Sequence, residues 1–294
     1  MNANRARVLT LLVAVVYGAI CLCVVASAEE PEAIKIVQAS SPPVIDGNLD
    51  EACWAKATLV KVQYPYASAG KITSPPPMIA RLLWDDHYLY LGYSVTDDDL
   101  VAIGTGREIG PPDNRRPTSE EYLPEKNLDL VEFFVSFGDK QKFWEVHHTA
   151  ANHLNNHWCE VPDKALAPNA KPTINDLTIV RDRFIPDDGK FTVARAAWLK
   201  PKSDGQPSTV NQPEDRDTGY SSELRLPWAG IGAPSERRQS DGAYAMSGMR
   251  LMILAAVLNG HKGEPGYHSS AIDLPTRMFH FSADRWPRYE LTEK

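Results

Sequence analysis

The sequence predicts an all-β protein: an antiparallel β-sandwich of jelly-roll type, with long loop insertions and few short helices. Apolar/polar alternation of period two recurs in many short segments. Connectors rich in Pro, Gly and Asp separate these segments at close spacing. Helix signals are confined to Glu51–Ala57, after "DGNLD", and to a turn at "PWAGIG".

The elements follow in order. "PVIDGNLDEACWAKA" places an Asp46-Gly47 turn ahead of Trp54, with Gly47 free to take positive φ and Asp50 placed to N-cap one helical turn. Trp54 and Leu49 then fold inward as a cap over one open end of the core. Burial of an indole is worth a few kcal/mol at ~25 cal/mol per Å². "MIARLLWDDHYLYLGYSV" reads as two strands about Trp84–His87. "DLVEFFVSF" and "KFWEVHHTA" flank "GDKQ" as a second hairpin. "LTIVRDRF" and "FTVARAAWL" flank "IPDDGK" as a third, with Asp188-Gly189 at its turn. "GYSSELRLPW", "MRLMILAAVL" and the closing "RYELTE" supply further strands. The irregular stretches 104–126, 162–173, 201–219 and 260–278 read as insertions, the length at which loops tend to carry function.

Compartment and charge bound the function. Arg5 and Arg7 precede an apolar run from Val8 to Val25 and then Ala26-Ser27-Ala28, so residues 1–28 read as a signal peptide. The alternative is an uncleaved N-terminal anchor. A single domain over 29–294, secreted or periplasmic, is expected. Loss of the two signal arginines takes the formal charge from −7 to −9, which argues against a nucleic-acid partner. Cys53 and Cys159 are the cysteines left, a pair able to form one disulfide and too few for a disulfide scaffold.

"IDGNLDEACWAKA", "LLWDDHYLYLGYSVTDDDL", "NLDLVEFFVSF", "KFWEVHHTAANHLNNHW" and "GYSSELRLPWAGIG" stand in an order that resembles the family 9 carbohydrate-binding modules and their relatives, from Val44 to Trp228. The resemblance implies a β-sandwich that binds poly- or oligosaccharide, works beside glycoside hydrolases and holds structural calcium. The last quarter, "MRLMILAAVLNG" and "HFSADRWPRYEL", departs from the family's usual ending.

Three groups of side chains are candidates for a site. Asn152, His153, Asn155, His157 and Trp158 of "HHTAANHLNNHW" offer paired donors and acceptors to sugar hydroxyls and an indole to stack on a pyranose. A polar loop with structural histidines, or a metal site through His147, His153 and His157, are the alternatives there. Trp198 and Trp286 precede loops and are further stacking candidates. Asp97, Asp99 and Asp129 are hard oxygen donors suited to calcium. An enzyme on the same sandwich would draw on Glu132, Glu145 and Glu223, but no phosphate loop, nucleophile elbow or dinucleotide fingerprint accompanies them. A haem-binding sandwich using His with Met78, Met246, Met249, Met252 or Met278 is the third class, with ordinary core as the plainer reading of these methionines.

Overall fold

Among the described residues, fourteen strands form two sheets, seen here in a computed structural model. It describes residues 32–66, 70–102, 129–152, 154–180, 194–206, 208–212, 216–259, 266–271, 274 and 279–293. The strands are β1 (Ile34–Val37), β2 (Thr58–Val62), β3 (Tyr64–Pro65), β4 (Met78–Trp84), β5 (Tyr88–Val95), β6 (Leu130–Ser136) and β7 (Lys142–Thr149). They continue with β8 (Leu154–Glu160), β9 (Thr178–Val180), β10 (Ala194–Leu199), β11 (Tyr220–Pro227), β12 (Arg250–Asn259), β13 (Gly266–Ser269) and β14 (Arg288–Thr292). The first sheet runs β1-β14-β12-β6-β7-β8-β9, with β13 and β3 added at β12. The second runs β10-β11-β5-β4-β2. All ladders are antiparallel except β1 with β14. The described helical segments are 3₁₀ turns of three or four residues.

Period-two alternation explains the layers. Leu82, Leu91, Tyr93 and Leu224 of the second sheet meet Val131, Phe133, Trp144, Val146, Ile253 and Ala255 of the first in one core. The outward residues Phe134, Phe143, Cys159, Met252 and Leu254 form a second apolar layer, covered by Phe279, Ala283 and Trp286. A third cluster lies on the outer face of the second sheet, where Trp54 and Cys53 pack on Leu83 and Tyr90.

The hairpins expected at 78–95 and 129–150 are present as β4–β5 and β6–β7. Four expectations are corrected. The stretch after Ala151 is strand β8 rather than a loop: Asn152, at φ 60, turns the chain, and Leu154 and Trp158 then point into the core. In the third expected hairpin the described parts of the two strands do not pair with each other: β9 pairs β8 in one sheet and β10 pairs β11 in the other, and residues 181–193 lie outside the described residues. Trp54 is buried as expected, but it covers a sheet face instead of an open end of the sandwich. Gly92 makes this possible: a Cβ there would stand 2.7 Å from Leu49 Cδ2 and 3.0 Å from the Trp54 ring. Asp50 does not cap the short turn, which begins after Cys53 without a side-chain cap; it accepts a hydrogen bond from Asn48 Nδ2 instead. The two described cysteines are buried in separate clusters and form no disulfide with each other. The signal segment lies outside the described residues.

Candidate functional site

The outer face of the first sheet is where polar chemistry and accessible space meet. Alternation along β7 turns Glu145 and His147 away from the core that takes Trp144 and Val146. Glu132 of β6 lies directly opposite His147 in the ladder. Glu145 is buried and acts as a hub. Its Oε1 is 2.7 Å from His147 Nε2, and its Oε2 accepts from Cys159 Sγ at 3.2 Å. His280 Nε2, on the covering turn, lies 3.2 and 3.0 Å from the two oxygens. Glu132 stands 3.7 Å from the same His147 nitrogen. Among the described residues, Glu145, Cys159 and His280 form the group of side chains whose ligand atoms all lie within 4.8 Å of one another.

Beside this cluster the covering segment bounds a cleft of about 540 Å³. Leu166, Pro168 and Pro172 line one side, and Phe281, Asp284 and Arg285 the other, with Lys140 at the end of the β6–β7 turn. Phe281 is half-buried and follows His280 directly. Leu166 is 42% exposed. The cleft therefore offers a flat ring, an apolar floor and charged hydrogen-bonding groups of both signs. That is the usual make-up of a small-molecule site.

The described residues among those predicted for the site do not line this cleft. Trp158 is only 9% exposed, packs in the main core and donates its indole N–H to Glu160. Trp286 is buried in the second apolar layer and donates to the Phe279 carbonyl. Both are therefore structural, and the expectation that they stack on sugar is corrected: an indole inside a packed layer presents no face to a ligand. Asn152 is likewise buried, with its Oδ1 2.8 Å from His148 Nε2; His148 Nδ1 in turn meets the Tyr93 and Ser222 hydroxyls at 2.5 and 3.0 Å. Asn155 and His157 take ladder positions opposite His147 and Glu145. His153 and the side chains of Asn155, His157 and Trp198 lie outside the described residues.

Asp97, Asp99 and Asp129 stand near the loop that follows β5. Asp97 Oδ1 accepts the Asp99 N–H at 3.0 Å, and Asp129 Oδ2 accepts the Val101 N–H at 2.6 Å. Asp217, which was not expected, accepts the Leu100 N–H at 2.8 Å. Consecutive amides are thus pinned by carboxylates.

Glu223 sits apart, on the second sheet. Its Oε2 accepts the Asp46 and Gly47 N–H groups, both at 2.8 Å, and its Oε1 accepts the Trp54 indole N–H at 2.7 Å. It secures the turn of "VIDG" and is not a partner for Glu145. Burial pushes its pKa up to about 7, against the downward pull of the three N–H donors. Met78 and Met246 are core residues and Met252 belongs to the second layer, so these three pack as ordinary apolar side chains.

Residues 45–149 match the family model described as carbohydrate family 9 binding domain-like. No curated protein is similar enough to this chain to match. Similar solved structures include a Bacteroides uniformis protein taken to be carbohydrate-binding, 14% identical, with 88% of this chain and 98% of that chain covered and a TM-score of 0.53. A family 9 carbohydrate-binding module of Caldicellulosiruptor kristjanssonii in complex with cellotriose is also 14% identical, with 90% and 95% covered and a TM-score of 0.47. A module of the same description in complex with glucose gives 14%, 88%, 96% and 0.49. At such identity the likeness is one of fold, and it is the Bacteroides structure that carries it. The match to the carbohydrate family 9 binding domain-like model thus covers residues 45–149 of a chain folded as a two-sheet β-sandwich.

Proposed function

We propose that this protein binds poly- or oligosaccharide, with the Phe281 cleft as the binding site, and acts outside the cytoplasm in support of polysaccharide breakdown by a separate glycoside hydrolase. The match of residues 45–149 to the carbohydrate-binding family carries the reading. The cleft supports its location. Sugars present apolar C–H faces and a ring of hydroxyls, which suit the Phe281 ring and the Lys140, Asp284 and Arg285 side chains respectively. Binding through a single ring and a few hydrogen bonds gives modest affinity, on the order of a micromolar to millimolar Kd.

Affinity electrophoresis in gels cast with soluble β-glucan, xylan, mannan or galactan tests this. Retardation in at least one polysaccharide is expected. Mobility unchanged in every gel would remove the sugar-binding reading. The expected export has its own check, carried by Arg5, Arg7, the Val8–Val25 run and Ala26–Ala28. Intact-mass measurement of protein expressed with its own N-terminus in a bacterial host should find a chain beginning at Glu29 in the periplasm or medium. A full-length chain held in the cell would contradict export by cleavage.

A further inference from the structure

We propose that Glu145, Cys159 and His280 form a zinc site that fastens the covering turn to the outer face of the first sheet. The three donors come from β7, β8 and the 279–281 turn, and all lie within 4.8 Å of one another. Thiolate, imidazole and carboxylate are the donor types zinc takes, at bond lengths of roughly 2.0–2.3 Å. Those lengths place tetrahedral ligand atoms roughly 3.3–3.6 Å apart. The sulfur and the His280 nitrogen lie 3.2 and 3.0 Å from Glu145 Oε2, a few tenths of an ångström from that spacing.

Charge favours the ion. A thiolate and a carboxylate carry two negative charges, so a divalent cation leaves the buried trio neutral. His147, on the other Glu145 oxygen at 2.7 Å, supplies the outer support that orients a ligating carboxylate. The Phe134 and Phe143 rings stand 5.3 and 5.9 Å from the His280 ring and wall the site with apolar surface. Three protein ligands leave a fourth position for water or a small anion. Because Phe281 follows His280 directly, the ion would also set the wall of the cleft.

The test uses the full protein, stripped with chelator and titrated with cobalt(II) and then zinc(II). Expected are about one ion per chain, a thiolate-to-cobalt charge-transfer band, and loss of that band as zinc displaces cobalt. Cys159→Ser should abolish the band and weaken zinc binding roughly tenfold or more, while His147→Ala should keep the band and weaken binding roughly 10–100-fold. His280→Gln, on the covering turn, gives a second reading of the ligand set if Cys159→Ser does not fold. Wild-type protein that shows no band at stoichiometric cobalt would overturn the proposal, as would folded Cys159→Ser or His280→Gln protein with wild-type zinc affinity.

Discussion

Glu223→Ala is expected to destabilise the protein by roughly 3–5 kcal/mol. Glu223 is fully buried and accepts from two backbone N–H groups and an indole. Removing it strands two buried donors, the Gly47 N–H and the Trp54 indole N–H, and a part-buried one, the Asp46 N–H; each unsatisfied buried donor costs about 1–3 kcal/mol. Glu223→Gln retains one acceptor oxygen and turns an amide N–H₂ toward the remaining donor, so roughly half the loss is expected. The charge adds a pH dependence. The folded carboxyl, at about 7, holds its proton more tightly than the ordinary value of 4.5, so the folded state binds more protons between these limits. Its contribution is therefore complete below about pH 4.5 and is lost as pH rises through about 7, by up to roughly 3 kcal/mol. Urea denaturation from pH 5 to 8 should show wild-type stability falling along this course, with the slope absent in Glu223→Gln. A Glu223→Ala protein with the wild-type midpoint would contradict the role assigned to this carboxylate.

Gly219→Ala is expected to cost on the order of 3 kcal/mol or more, from backbone strain and a collision together. Gly219 leads into β11 at φ +108, and a Cβ there would stand 2.0 Å from the Val95 carbonyl oxygen and 2.9 Å from its carbon. The obstacle is backbone of the neighbouring strand β5, which cannot turn aside as a side chain would. Gly138 separates the two costs. It has φ +92 with nothing within 4 Å of where a Cβ would stand, so Gly138→Ala should show the conformational part alone, about 1 kcal/mol. Thermal melting should therefore fall by roughly 6–12 °C for Gly219→Ala and a few degrees for Gly138→Ala. Equal shifts in the two variants would mean that the close approach to Val95 carries no cost.

Alternation and turn chemistry made β4–β7, β11, β12 and β14 legible, because each shows a regular apolar face beside a Gly- or Asp-containing turn. β8 was hidden by "LNNH": a polar run reads as loop until its neighbour β7 and the inward Leu154 and Trp158 are known. "IPDDGK" looked like a hairpin turn, yet the strands on either side belong to different sheets, a choice made by long-range pairing and not by local sequence. The burial of Trp54 followed from its size, but the surface it covers depends on Gly92, far along the chain. The polar cluster was half readable. "FWEVHH" puts Glu145 and His147 on one face by period two, whereas no local pattern announces that His280 comes to meet them. Trp158 and Trp286 are buried in the apolar layers, because large aromatic side chains beside loops are as useful to a sandwich's core as to a ligand.

Titration calorimetry with the polysaccharide that retards the protein, comparing wild type with Phe281→Ala, tests the sugar-binding cleft most directly. A saturable heat for wild type, with affinity lowered roughly tenfold or more in a Phe281→Ala protein of unchanged melting temperature, is the predicted result. Phe281→Ala protein that binds as tightly as wild type would place the sugar elsewhere and contradict the cleft.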